Sequence, residues 1–214
     1  IKMMGAMYFL LRGTPFIYQG QELGMTNFER TSIEEFNDIS SIDQYHRSIE
    51  EGFSKEEALK IVNLRSRDNS RTPFPWNSSE YGGFSSKKPW LGMIENYKEI
   101  NAEAQVGQKG SIYEFYKDII NFRQNSVYSD CLIYGDIAPI DTKNDDLIAY
   151  TRHNNNETIY CYFNFSKKGV FEPLDIKDKK VIFNNLKDYE INEEGIVLKP
   201  HQALLVTINN MGEV

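Results

Sequence analysis

The sequence predicts a mixed fold in which an α/β part is followed by an all-β part. Residues 1–18 combine a helical pattern with a short apolar segment, and serine–glutamate capping patterns mark further helices along the middle of the chain. Near residue 126 the hydrophobic period changes from the helical value to two. We therefore expect the end of a parallel α/β sheet in residues 1–126 and an antiparallel β domain in residues 127–214.

The α/β prediction rests first on the N-terminal segment. Apolar side chains in residues 1–11 recur three and four positions apart, which is typical of a helix. Gly13 and Pro15 then interrupt the helix, and the apolar residues 16–18 predict a short strand. A helix, a turn and a buried strand form the second half of a parallel crossover. The neighbouring strands are then expected before Ile1, so we expect this chain to be the C-terminal part of a larger protein.

The middle of the chain is predicted to contain short helices and a long irregular segment. The Ser-x-x-Glu pattern of a capping box occurs three times, at residues 32–35, 54–57 and 111–114. We expect two or three short helices in residues 26–66 and a helix from Ser111 to about Arg123. Residues 26–110 form a long polar insertion, and loops of this length usually carry function.

The C-terminal part reads as a series of short strands separated by turns rich in Asn, Lys, Glu and Gly. The predicted strands lie at residues 147–152, 158–165, 181–186 and 203–209. Short strands at close spacing after all the helices predict an antiparallel sandwich or sheet.

Composition narrows the classes of partner. The 31 acidic and 24 basic residues give a net charge of −7, which argues against nucleic acid and anionic membranes as partners. No apolar run is long enough to span a bilayer. The two cysteines do not form a disulfide framework, and the three histidines are scattered. We expect no metal and no cofactor.

Several motifs carry a resemblance to a known family. GTPFIYQGQELGM at residues 13–25 resembles the eighth strand of the α-amylase superfamily barrel, glycoside hydrolase family 13. SRDNSRTPFPWN at residues 66–77 is similar to a segment of oligo-1,6-glucosidases, α-glucosidases and trehalose-6-phosphate hydrolases. Three further motifs follow in the order of that subfamily: KPWL at 88–91, INAEAQ at 100–105 and LKPH at 198–201.

The resemblance implies a fold and an activity. Residues 1–126 would be the C-terminal segment of a catalytic (β/α)8 TIM barrel, with the last strand, the inserted loop 26–110 and a closing helix. Residues 127–214 would be an antiparallel β-sandwich. The implied activity is that of a cytoplasmic, retaining, exo-acting α-glucosidase that hydrolyses α-1,6 or α-1,4 bonds. The implied substrates are short oligosaccharides or disaccharides. The remaining N-terminal part of the enzyme is the other implied partner.

The resemblance also implies where the catalytic acids lie. In this family the nucleophile Asp, the acid/base Glu and a stabilising Asp follow strands four, five and seven. All three would precede Ile1, and no acid in this sequence matches their motifs. We expect the chain alone to be inactive.

Arg67 is the first candidate for substrate binding. In the family, the matching arginine holds the non-reducing terminal glucose together with an aspartate that would lie upstream here. A guanidinium suits this task because its planar fork pairs with carboxylates and donates to sugar hydroxyls. The alternative is a loop-bracing ion pair with Asp68 or Glu56. Arg71 is the less favoured candidate, and a loop-bracing role is preferred for it.

Other polar and aromatic residues are weaker candidates. Gln19 and Glu22 are expected at the rim of a pocket, although an ion pair is preferred for Glu22. Tyr18 is expected in the core. Trp76 and Trp90 can stack on a sugar ring, but packing roles are preferred for both.

Other functions stay open at this point. Trehalose-6-phosphate hydrolysis would need a cationic group for the phosphate, for which Lys87 and Lys88 are weak candidates, and sucrose isomerisation uses the same fold. A third alternative is a non-catalytic, membrane-anchored relative such as the heavy subunits of amino-acid transporters. A fourth treats residues 127–214 as a carbohydrate-binding module.

Overall fold

The computed structural model of the protein describes residues 1–175 and 178–208. Its contacts divide the chain into two compact units. Unit 1 combines Ile1–Phe16 with the chain from Phe115 onward, and unit 2 is Ile17–Glu114. The predicted boundary at residue 126 stays a prediction.

The helices are short. They are α1 (Lys2–Phe9), α2 (Ile39–Glu50), α3 (Lys55–Arg65), α4 (Ala102–Gln105), α5 (Ile112–Asn125) and α6 (Ser129–Tyr134). Single 3-10 turns occupy Gln21–Leu23, Ile33–Glu35, Arg67–Arg71 and Glu80–Gly83. None of the helices that the structure describes combines the length and the apolar character needed to cross a bilayer.

The helix starts follow the local sequence. At the start of α3, Ser54 Oγ accepts a hydrogen bond from the Glu57 amide, and Glu57 Oε2 accepts one from the Ser54 amide. This reciprocal pair satisfies two amides that a helix N-terminus leaves free. Ser32 and Glu35 form the same capping box, and Ser111 Oγ accepts from the Glu114 amide. The predicted helix starts at Ser54 and Ser111 are therefore confirmed, whereas the capping box at Ser32 opens only the 3-10 turn Ile33–Glu35.

The strand predicted at residues 16–18 is wrong. This segment is not in a sheet, and the side chains of Phe16, Ile17 and Tyr18 are 82%, 39% and 58% exposed. A strand exists only through hydrogen bonds to a neighbour, and no strand among the described residues pairs with this segment. Its apolar composition therefore does not suffice to make it a strand.

Among the residues that the structure describes, the β part contains eight strands in two sheets, both within unit 1. The five-stranded sheet has the order β1 (Asp136–Pro139), β2 (Leu147–His153), β3 (Thr158–Asn164), β8 (Ala203–Ile208) and β5 (Lys179–Asn184). The three-stranded sheet has the order β4 (Val170–Pro173), β7 (Gly195–Leu198) and β6 (Glu190–Ile191). Every described strand pair is antiparallel, as predicted. The predicted end of the last strand, Asn209, lies outside the described residues.

Each unit has its own hydrophobic cluster. In unit 1 the cluster takes side chains from both sheets, among them Leu147, Tyr162, Ile196, Leu198 and Leu204. In unit 2 the side chains of Phe36, Tyr45, Ala58 and Val62 pack together, and this holds α2 against α3. Phe36 of the second cluster lies in the loop before α2. The same loop carries Asp38, which takes part in the candidate site described below.

Candidate functional site

The SRDNSR segment forms a single 3-10 turn directly after α3. Ser66 begins this turn because its Oγ accepts a hydrogen bond from the Asp68 amide. Ser70 Oγ donates to the Arg67 carbonyl within the same turn. Local side-chain hydrogen bonds of this kind favour tight turns over a continued helix. The turn sends the side chains of Arg67, Asp68 and Asn69 toward different partners in unit 2.

Arg67 forms an ion pair with Asp38. Its Nε and Nη2 donate to Asp38 Oδ1 at 3.1 and 2.6 Å, and Nη2 also donates to Ser40 Oγ at 2.8 Å. The Arg67 side chain is 62% exposed, whereas that of Asp38 is 4% exposed. The hydrogen bond from Arg67 lowers the pKa of Asp38 to about 2, and the same bond raises the pKa of Arg67. The sequence had suggested Asp68 or Glu56 as the partner instead.

Asp68 holds the chain that carries Asp38. Its fully buried carboxylate accepts hydrogen bonds from the amides of Asn37 and Asp38 at 2.7 and 2.9 Å, both on Oδ2. Its other oxygen, Oδ1, accepts a 3.4 Å hydrogen bond from Arg71 Nη1. Arg71 is 42% exposed along its side chain, and this contact is long for a hydrogen bond. The contact of Arg71 is thus to a carboxylate that holds the backbone before α2.

Asn69 is held by a buried arginine that the sequence analysis did not single out. Arg30 Nη1 donates to Asn69 Oδ1 at 2.8 Å, and Asn69 Nδ2 donates to the Asn63 carbonyl at 2.7 Å. The Arg30 guanidinium lies over the ring of Phe36, 4.7 Å from its centroid. The side chain is 1% exposed, and burial lowers the pKa of Arg30. Asp68 and Asn69 are thus fixed by several hydrogen bonds, whereas Arg67 and Arg71 are held on one side and keep exposed side chains.

A cavity of about 280 Å³ lies beside the segment in unit 2. Gln19, Asn69 and Ser70 line it, together with Tyr18 and several residues of the following loop. The Tyr18 hydroxyl donates to the Ser70 carbonyl at 2.8 Å. The prediction of Tyr18 as a core residue is therefore wrong, since its hydroxyl reaches across to the SRDNSR segment. Gln19 lies at the pocket, as expected, but Arg67 and Arg71 do not line this cavity.

Three further candidates occupy less defined places. Glu22 Oε2 is buried and has no hydrogen-bond partner among the residues described. Trp76 contacts Phe74, with 4.7 Å between ring centroids, yet remains 56% exposed. Trp90 is 69% exposed. The expected packing roles of both tryptophans are therefore at most partial.

Comparison with known proteins identifies the family. The alpha-amylase family, described as the alpha amylase catalytic domain, matches residues 1–135. The chain belongs to the alpha-amylase family. The resemblance read from the GTPFIYQGQE and SRDNSR motifs is thereby confirmed.

Relatives of this alpha-amylase family chain include several glucosidases. A probable oligo-1,6-glucosidase 3 of Bacillus subtilis (strain 168) is 40% identical over 206 residues, which cover 94% of this chain and 37% of the relative. A trehalose-6-phosphate hydrolase of the same organism is 38% identical over 164 residues, 77% of this chain and 29% of that protein. The chain thus spans about a third of the length of the curated relatives it matches.

Solved structures agree with the sequence relatives. The crystal structure of Bacillus licheniformis trehalose-6-phosphate hydrolase superposes with a TM-score of 0.87 at 35% identity, and the match covers 96% of this chain and 38% of that one. The isomaltulose synthase of Protaminobacter rubrum gives a TM-score of 0.86 at 37% identity, with 98% and 38% coverage. The arrangement of helices and antiparallel sheets in this chain is therefore that of the family.

The motif singled out Arg67 and Arg71 as candidates, but it did not point to Asp38, the partner of Arg67. Asp38 is 29 positions away from Arg67, and no local pattern links the two. A weak signal was present, because Asp38 directly precedes α2 and Asp is common at helix starts. Its side chain, however, makes no capping hydrogen bond, since Arg67 and Ser41 occupy it.

Proposed function

We propose that this chain is the C-terminal portion of a retaining, exo-acting α-glucosidase that hydrolyses α-1,6 or α-1,4 glucosidic bonds in short oligosaccharides. Curated relatives at 40% and 33% identity that are named as oligo-1,6-glucosidases support this proposal. In this proposal residues 1–126 belong to a (β/α)8 barrel of the longer protein, and residues 127–214 form a β-sandwich. The catalytic carboxylates would lie N-terminal to Ile1 in the longer protein.

The proposal is carried by the hydrogen bonds and the exposure of the Arg67 side chain. Its Nε and Nη2 are fixed by Asp38 and Ser40, and its Nη1 has no hydrogen-bond partner among the described residues. The side chain is 62% exposed. A preoriented guanidinium with one free edge suits donation to the hydroxyls of a terminal sugar. We propose that Arg67 binds the non-reducing terminal glucose and that Arg71 has a bracing role.

The charge of the segment favours a neutral sugar at this position. Arg67 is paired with Asp38, and Arg71 is paired with Asp68. Each arginine stays charged, but each ion pair as a whole carries no net positive charge with which to attract a phosphate. Trehalose-6-phosphate hydrolysis is the second candidate, because a crystal structure of such an enzyme superposes well. The exposed Lys87 and Lys88 are the remaining candidates for its phosphate contact in this chain.

The proposal is tested with the longer protein that contains this chain. Isomaltose, maltose, trehalose-6-phosphate and sucrose are offered separately, and NMR follows the anomer of the released glucose. We expect fastest hydrolysis of isomaltose or maltose, with the α-anomer released first, as a retaining mechanism requires. The 214-residue chain alone is expected to be inactive.

Other outcomes would contradict the proposal. Preference for trehalose-6-phosphate would indicate the second candidate, and rearrangement of sucrose would indicate an isomerase. Absence of turnover with all four sugars would favour a non-catalytic relative. Hydrolysis by the 214-residue chain itself would overturn the placement of the catalytic acids.

A further inference from the structure

We propose that Asp38 is a positioning residue for sugar binding, which it serves by holding Arg67 in the orientation that exposes Nη1. The proposal rests on the proposed function, in which Arg67 binds the terminal glucose. Asp38 itself would not touch the sugar. No motif that carries the family resemblance contains Asp38.

The geometry of the Arg67–Asp38 pair fixes the orientation of the guanidinium. Both Arg67 nitrogens that face Asp38 donate to the same oxygen, Oδ1, and Ser40 Oγ takes a further hydrogen bond from Nη2. One edge of the guanidinium is thus anchored at three contacts. Because the guanidinium is planar, fixing this edge also fixes the direction of Nη1. An arginine on the surface would otherwise sample many rotamers and lose them on binding a sugar.

The burial of the Asp38 carboxylate keeps it paired with Arg67. The Asp38 side chain is 4% exposed, and a buried charge requires a partner and filled hydrogen-bond positions. Arg67 supplies the partner on Oδ1, and Ser41 Oγ donates to Oδ2 at 2.8 Å. Asp38 therefore cannot turn away from Arg67 without leaving a buried charge unpaired. A surface ion pair lacks this constraint.

A backbone hydrogen bond also connects the chain segments that carry Arg67 and Asp38. The amide of Asp38 donates to Asp68 Oδ2 at 2.9 Å, and Asp68 follows Arg67 directly in the sequence. The chain that carries Asp38 is therefore anchored to the turn that carries Arg67. A closed loop of contacts, from Arg67 to Asp38 to Asp68 and back, sets the separation of the pair. Substrate-binding groups lose much of their effect when such support is loosened.

The experiment measures kcat and KM of the longer protein with 4-nitrophenyl α-glucoside. Asp38→Asn keeps the shape of the side chain but removes its charge, so the hold on Arg67 weakens. We expect kcat/KM to fall about tenfold, the scale of one charge-assisted hydrogen bond. The change should reside mainly in KM, because the lost contact is to the bound sugar. Asp43→Asn is the matched control, since Asp43 is an exposed acid on α2 and should leave both constants unchanged.

A double-mutant cycle separates positioning from mere structural support. In an Arg67→Ala background, Asp38→Asn should no longer affect KM, because the group that it positions is gone. An equal loss in both backgrounds, or no loss in either, would overturn the proposal. If Arg67→Ala alone leaves kcat/KM unchanged, the proposed role of Arg67 fails first, and the positioning role fails with it.

A second variant covers the case in which Asp38→Asn does not fold. Ser40→Ala removes one hydrogen bond to Arg67 without leaving a buried charge. We expect a smaller rise in KM that also disappears in the Arg67→Ala background. A rise that persists there would contradict the proposal.

Discussion

At the residue scale, the SRDNSR segment shows how one short motif divides its side chains between support and exposure. Asp68 is fully buried and Asn69 is bound to the buried Arg30, while Arg67 keeps an exposed side chain. Ser66 caps the turn locally. The arrangement explains why a loop of polar residues can hold one arginine in a defined orientation.

The pKa of Asp38 gives a prediction on stability. Arg67 lowers the pKa of Asp38 from 3.8 to about 2 in the folded protein. The ionised carboxylate therefore stabilises the fold above about pH 4, and this contribution is lost as the pH falls toward 2. The difference in unfolding free energy between the parent chain and Asp38→Asn should be largest near about pH 5 and shrink toward about pH 2. Urea unfolding at several pH values measures it.

The exposed Asp43→Asn variant controls for the loss of one acidic charge. A difference for Asp38→Asn that is the same at both ends of this pH range would contradict the ion pair with Arg67. It would also weaken the argument that Asp38 is held in place by its charge.

At the element scale, two buried arginines fix the C-terminal end of α1 in unit 1. Arg123 donates to the carbonyls of Phe9, Leu11 and Gly13. Arg152 donates to five carbonyls at 2.6–3.3 Å, those of Leu10, Cys131, Leu132, Gly135 and Asp136. Carbonyls at a helix end have no partner within the helix, and a cation is favourable there. Burial is the main cause that lowers the pKa of both arginines.

Replacing Arg152 should therefore destabilise unit 1 strongly. In Arg152→Met the side chain keeps its apolar stem, but the five carbonyls lose their hydrogen bonds from Arg152, and of these the Cys131 carbonyl keeps one from the Gly135 amide. We expect a loss of about 3 kcal/mol in unfolding free energy, since buried unpaired acceptors are costly. Arg12→Met is the control, because its ion pair with Asp136 is exposed on both sides and worth at most about 1 kcal/mol. Equal effects of the two variants in denaturant unfolding would contradict this assignment.

The elements that the sequence predicted are those with a local cause. The helix α3 begins at a capping box whose two partners are three residues apart, and β2 and β3 are rich in the β-branched and aromatic residues that are typical of strands. The strand β4 was missed because it has four residues, ends in Pro173 and buries Glu172. The segment at residues 16–18 was predicted wrongly because a strand depends on a distant partner that composition does not reveal.

The candidate site divides in the same way. Arg67 and Arg71 were found from a motif, whereas Asp38 and Arg30 were not, because their contacts join residues 29 and 39 positions apart. Such contacts depend on how α2 and α3 pack around Phe36 and Val62. That packing is a property of the folded unit and leaves no fixed spacing in the sequence.

At the scale of the whole molecule, the chain belongs to the alpha-amylase family and spans 37% of a relative that is 40% identical. We propose that this part contributes sugar-binding groups to the longer enzyme. The SRDNSR segment would hold the terminal glucose through Arg67, and the catalytic acids would come from another part of the longer protein. Arg71 would serve only as a brace for Asp68.

The most direct test is kcat/KM of the longer protein carrying Arg67→Lys, measured beside Arg71→Lys. Lysine keeps the charge but cannot reproduce the planar fork that binds Asp38 and a sugar hydroxyl together. We expect Arg67→Lys to lower kcat/KM by roughly 10- to 150-fold, because a contact worth about 1.5–3 kcal/mol is lost. The melting temperature should change little. Arg71→Lys should remain close to the parent enzyme. Near-normal kcat/KM for Arg67→Lys together with loss of activity for Arg71→Lys would contradict the claim, and no effect of either would leave the segment a structural loop.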